Sequence, residues 1–155
     1  MKRPKHERGQ SLVELSVSLL VLLFLLSGAV EFGLAFFQFV QLRDAAQEGA
    51  LFGSMDANGL NIPNMEIRAR SASTSPIDLG DVSKVRVSIY INDVLARQNG
   101  VPQNAICGKE GDALRVEVSY NHVVFMPFMS NIIGNTVPLN ATVTDTVLSP
   151  VTCTP

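Results

Sequence analysis

Between Leu15 and Val30 the chain carries no charged residue, and only Ser16, Ser18, Ser27 and Gly28 interrupt the apolar run. As a helix this run spans about 24 Å, a little short of a hydrocarbon core of about 30 Å. Extension through Glu31 to Val40 supplies the missing length. It also places Glu31 toward the outer leaflet, where a carboxylate costs well below the roughly 2.5–3.5 kcal/mol of mid-bilayer. Ser27, Glu31 and Gln38 share a narrow polar line suited to facing another helix. No helix breaker follows before about residue 53. Leu42, Ala45, Ala46, Gly49, Phe52 and Gly53 recur at three- and four-residue spacing, while Gln41, Arg43, Asp44, Gln47 and Glu48 fill the other side. The pattern predicts one helix over 10–53, membrane-spanning in roughly 12–40 and amphipathic beyond. Gly49 and Gly53 each cost about 1 kcal/mol in a helix interior. Either the helix packs closely at both positions, or Gly53 is the C-cap and Gly49 is tolerated.

After a loop with Asn58-Gly59 as its turn signal, Pro63 opens a short helix with Met65, Ile67, Ala69 and Ala72 on its apolar side, ending over 71–76. The period then changes to two. Val85, Val87, Ile89 and Ile91 alternate with polar residues, as do Leu114, Val116, Val118 and Tyr120, and then Val137, Leu139, Ala141, Val143 and Val147. Three strands with one apolar face describe an antiparallel sheet, and the long helix is its natural cover: an α+β layer. Residues 92–113 read as a long loop containing Asn99-Gly100, Pro102 and Gly108. Phe125–Ile133 is apolar but broken by Pro127, and reads as a loop tucked against the sheet or as a subunit-contacting or membrane-touching patch.

Charge changes this picture in one way. The chain's formal net charge is −2, but Lys2, Arg3, Lys5 and Arg8 precede residue 9 with Glu7 as the only acid among them. By the positive-inside rule that leader (1–9) stays in the cytoplasm, and the α+β domain (54–155, with the helix end) lies outside the cytoplasmic (inner) membrane. The acidic remainder has no basic patch for phosphates, which excludes nucleic acid as a partner. Cys107 and Cys153 fall in the outer half, where oxidation is possible. Paired, they would stabilise the fold by roughly 4 kcal/mol in the chain-entropy model; otherwise they are two thiols.

Chemistry that would make an enzyme is missing. The two histidines are His6, in the leader, and His122, which reads as a strand residue at the polar edge of the sheet. No spacing of Cys and His suits a metal, and no phosphate-binding glycine loop or nucleophile elbow occurs. The expectation is a non-enzyme with no cofactor, no metal and no small-molecule substrate.

The amino-terminal segment admits three readings. Ser27-Gly28-Ala29 could close a secretory signal, although apolar residues resume at Phe32. The segment could equally be a plain anchor or signal for a small extracytoplasmic binding domain. The third reading joins Gly9 to Glu14: a basic leader ending in glycine, then a helix with a carboxylate at its fifth position, resembles a type IV prepilin-like processing site. Cleavage after Gly9 would free an amino group on Gln10. Glu14 would lie in the first turns of the mature helix, where the macrodipole favours negative charge. In lipid it needs a cation, which a neighbouring subunit's amino terminus can supply.

The wider wording narrows this reading. Arg8-Gly9-Gln10-Ser11-Leu12-Val13-Glu14, Val30-Glu31-Phe32-Gly33 and Arg43-Asp44-Ala45-Ala46-Gln47-Glu48-Gly49-Ala50 resemble the TadE-like family of tight-adherence pilus-assembly proteins. Leu15 stands where that family usually has an aromatic residue, and Gln47 where a basic residue is commoner; the glycine and the carboxylate are kept. The resemblance implies a pilin-like fold and a pseudopilin or minor pilin, processed by a prepilin peptidase between Gly9 and Gln10. Its partners would be the membrane and other pilus subunits and assembly proteins, with the pilus or cell surface as destination. Glu14 would serve as assembly and charge partner, and Glu31 as an intramembrane polar contact.

Overall fold

A computed structural model describes residues 7–56, 60–106, 108–126 and 129–148. The leader as far as His6, the Asn58-Gly59 turn, the break at Pro127 and the proposed Cys107–Cys153 bridge lie outside the described residues. Helix α1 runs unbroken from Glu7 to Met55, about 74 Å at 1.5 Å per residue. It begins three residues before the expected start because Arg8 and Gly9 continue the helical turn. Helix α2 follows over Ile62–Ser71 with Asn61 as its N-cap, the Asn61 side chain accepting from the Asn64 N–H, and proline in its first turn.

The sheet, among the described residues, has five strands rather than three: β1 Val85–Ile91, β2 Val94–Gln98, β3 Val101–Pro102, β4 Ala113–Val123 and β5 Thr136–Thr146. Their order is β3-β2-β1-β4-β5, with antiparallel neighbours throughout. The two additional strands occupy the expected 92–113 loop. Asn92 and Asp93 both have positive φ, as do Asn99 and Gly100. Two successive two-residue turns of this kind match the twist of a hairpin and fold the chain back twice. A one-turn helix, α3 (Ser130–Ile133), lies between β4 and β5.

Helices α1 and α2 both lie on one face of the sheet, α1 over β4 and β5 and α2 chiefly against β1. Leu42, Ala45, Ala46 and Ala50 of α1 join Met65 and Ala69 of α2 and Val87, Ile89, Leu114, Val116 and Val118 of the sheet in one core. Small side chains on α1 let it approach closely, and Gly49 and Gly53 are part of that approach. A Cβ at Gly49 would stand 3.1 Å from Ala69 Cβ and 3.2 Å from the Met65 carbonyl oxygen; one at Gly53 would stand 2.7 Å from Leu114 and from Met65. Close packing, not capping, accounts for both.

Two polar devices lock the layers. Gln41, expected on the polar side of α1, is buried, and its amide donates to the Ile77 carbonyl (2.7 Å) and accepts from the Ile77 N–H (3.1 Å). It thereby fastens the segment after α2 to α1. Glu66, buried on α2, accepts from Arg70 (2.9 Å), Arg97 (2.7 Å) and the Gly100 N–H (2.9 Å). Burial pushes its carboxyl pKa up, but these donors outweigh that and hold it below the ordinary 4.5. Arg70 in turn reaches the Leu79 carbonyl and Asn99 Oδ1, so one network binds α2 to the β2–β3 turn. At the far end, the Leu148 N–H donates to the Ser54 carbonyl of α1.

Candidate functional site: the two ends of the apolar helix

Helix α1 has two regimes. From Gly9 to Leu26 it projects from the domain, and every large apolar side chain from Leu12 to Leu26 is exposed. From Ser27 onward one face is progressively covered. Helix α1 from Gly9 onward is long and apolar enough to cross a membrane, which suggests a membrane anchor.

Gly9, Gln10 and Glu14 lie together at the free end, all exposed. Nothing approaches within 4 Å of the position a Gly9 Cβ would take. Gln10 Nε2 is 3.4 Å from Glu14 Oε1, one turn along the same face. Among the side chains described from Gly9 onward, none from the domain touches these three residues and no cation meets Glu14. The Ser16 hydroxyl bonds back to the Leu12 carbonyl (2.8 Å), which removes one unsatisfied polar group from the apolar face.

Glu31 stands seventeen positions beyond Glu14, about 26 Å up the axis, in entirely different surroundings. It is buried, with Oε1 2.6 Å from His122 Nε2, and its carboxylate accepts from the backbone N–H groups of Phe125 (3.1 Å) and Met126 (2.8 Å). His122 Nδ1 lies 2.6 Å from Gln38 Oε1, and the tautomer sets which ring nitrogen donates. The sequence pattern placed Glu31 and Gln38 against another helix and His122 at the sheet's polar edge. Within this chain the structure instead brings all three together between α1 and the end of β4.

Both departures follow from register. On α1, Glu31 and Gln38 lie on the stripe that continues through Leu42, Ala45, Gly49 and Gly53, which is the face turned to the sheet. On β4, alternation from Leu114 through Val116, Val118 and Tyr120 puts His122 on the same inward face. Period two extended by one more step was the available signal for His122; its polarity masked it. For Gln41 the signal was its position beside Leu42 and Ala45 on the sheet-facing arc.

A helix whose apolar half projects from a domain that its other half helps to build makes this an α+β protein with a long N-terminal apolar helix packed on an antiparallel sheet. The sequence model of the TadE-like protein family matches residues 9–51, starting at Gly9 and covering nearly all of α1. Over this segment the chain is similar to that family, in agreement with the resemblance of its wording. No curated protein and no solved structure matches the chain. The family is a structural, pilin-type one, and the match suggests a pilus-assembly-related protein associated with a membrane and with other pilus components.

Proposed function

We propose that this chain is a structural pilin-like subunit, a pseudopilin or minor pilin, acting in assembly of a tight-adherence type IV pilus. The observation that carries the reading is the coincidence of the family match with the free half of α1. The matched segment begins at Gly9, where no described part of the domain obstructs a protease, and includes Glu14, which has no partner cation among the side chains described from Gly9 onward. In this reading a prepilin peptidase cuts after Gly9 on the cytoplasmic side of the inner membrane. Gln10 becomes the mature terminus, its new amino group pairs with Glu14 of a neighbouring subunit, and the domain stands outside. The bilayer covers about residues 10–30, shorter than the pattern alone suggested, because the domain reaches α1 from Ser27 onward.

Mass spectrometry of the mature amino terminus tests this. Gln10 is the expected first residue, and Gly9→Asp should leave the chain uncut. A terminus at Val30 would mean a secretory signal, and one at Met1 a plain anchor for a binding domain; either outcome overturns the processing step. Glu14→Ala should be cut normally yet fail to enter or support filaments.

A further inference from the structure

We propose that the β4–β5 connection is a second membrane contact: Phe125, Ile132 and Ile133 form an apolar foot that enters the outer leaflet beside α1. The inference rests on the membrane reading of α1 and adds to it a surface of the folded domain.

Four observations point to lipid as the occupant. The first is height. Glu31 holds the backbone of Phe125 and Met126, and Met129 Sδ lies 4.0 Å from the Cβ position of Gly28. The described parts of the connection, at Phe125–Met126 and at Met129, therefore meet α1 at residues 28–31, immediately above the free apolar stretch. Any placement that buries Leu15–Leu26 in hydrocarbon brings this level to the outer boundary. The second is exposure: Phe125 is 79%, Ile132 63% and Ile133 49% exposed, although each is large and apolar. An apolar cluster of this kind on a soluble surface marks a contact site.

The third observation is charge. No Asp, Glu, Lys or Arg occurs from Val123 to Thr144, while charged residues are spread over the rest of the domain. Charged groups are expensive near the hydrocarbon, and this uncharged run takes in the whole sequence of the connection together with most of β5. The fourth is a matching height on the helix. Phe32 of α1, 71% exposed, and Phe36 lie just above the same level with their rings stacked 6.2 Å apart, adding exposed aromatic surface on α1 at that level. Glu31 is then a positioning residue. Its carboxylate occupies the backbone N–H groups of the connection, so their polarity is satisfied where lipid cannot satisfy it.

The chain contains no tryptophan, so single tryptophans report depth directly. Phe125→Trp, Ile132→Trp, Leu20→Trp in the free helix and Val94→Trp at the opposite end of the sheet are placed one at a time in the full chain. Each is reconstituted at high dilution in phosphatidylcholine/phosphatidylglycerol vesicles with brominated acyl chains. The Phe125→Trp and Ile132→Trp chains should lose most of their indole emission, as Leu20→Trp does, whereas Val94→Trp should keep it. Quenching of Leu20→Trp but of neither foot variant overturns the foot and leaves the anchor standing. Loss of quenching in Leu20→Trp as well overturns the anchor reading. Shielding of the two foot variants that develops only at high protein-to-lipid ratio assigns the surface to a second copy and also overturns the proposal.

Discussion

Removing the Glu31 carboxylate should loosen the domain from α1. Glu31→Ala leaves three groups without their partner: His122 Nε2 and the Phe125 and Met126 N–H groups. A buried donor stripped of its partner costs about 1–3 kcal/mol, and more when the lost acceptor was charged. The Phe125 and Met126 bonds are only part-buried, so the freed groups are not fully stranded and the expected loss is about 3–4 kcal/mol rather than the full sum. The full chain in detergent can be unfolded with urea and followed by tyrosine fluorescence, since Tyr90 and Tyr120 are its two tyrosines and both lie in the sheet. With a slope of about 1.5 kcal/mol per molar urea, the midpoint should fall by roughly 2 M. Glu48→Ala, on the exposed side of α1, should move it by less than about 0.5 kcal/mol. A cycle with His122→Ala should return a coupling of about 1–3 kcal/mol. Equal, small effects for Glu31→Ala and Glu48→Ala, with no coupling to His122, would refute the idea that this carboxylate clamps helix to sheet.

Two further predictions use the same assay. Gly53→Ala should destabilise by about 1 kcal/mol, because overpacking against fully buried Leu114 and Met65 outweighs the helix-propensity gain. Gly33→Ala, where no atom lies within 4 Å, should stabilise by up to about 1 kcal/mol; the same sign for both variants would contradict the packing argument. Glu66, its carboxyl held below 4.5, contributes stability that is complete above that pH and is lost as pH falls through the folded-state value. Asp81, drawn to about 2 by the Ser83 hydroxyl and Lys84, and Asp112, lowered by Asn92 and the Lys109 N–H, lose their contributions in the same acid direction. The informative comparison is therefore with Glu66→Gln, which should be less stable at pH 7 and show a shallower decline below pH 4.5. Parallel pH profiles would remove Glu66 from the account.

The apolar run, the amphipathic arc from Leu42 to Gly53 and the three alternating strands are local patterns, and each states a secondary structure and a face without knowledge of what covers it. The proposed processing motif is equally local: Gly9, Gln10 and Glu14 lie within six positions and need no fold to be read. The α+β class and the TadE-like wording were legible for that reason. The β2 and β3 strands were less so, because short strands containing Arg97, Gln98 and Pro102 lack a clean alternation. The Asn92-Asp93 and Asn99-Gly100 pairs carried that information in their turn geometry instead.

What only the tertiary structure decided is which partner each face meets. A polar stripe of Glu31 and Gln38 in an apolar helix is compatible with a neighbouring helix or with the chain's own sheet. The sequence contains both options because a hydrogen-bonding side chain does not specify the origin of its partner. Folding brings His122 across a separation of 91 residues to meet Glu31, and with it the backbone of the β4–β5 connection. That single long-range meeting sets the height at which the domain begins on α1. It leaves Gly9 to Leu26 free and separates a segment suited to lipid and assembly from one committed to its own core.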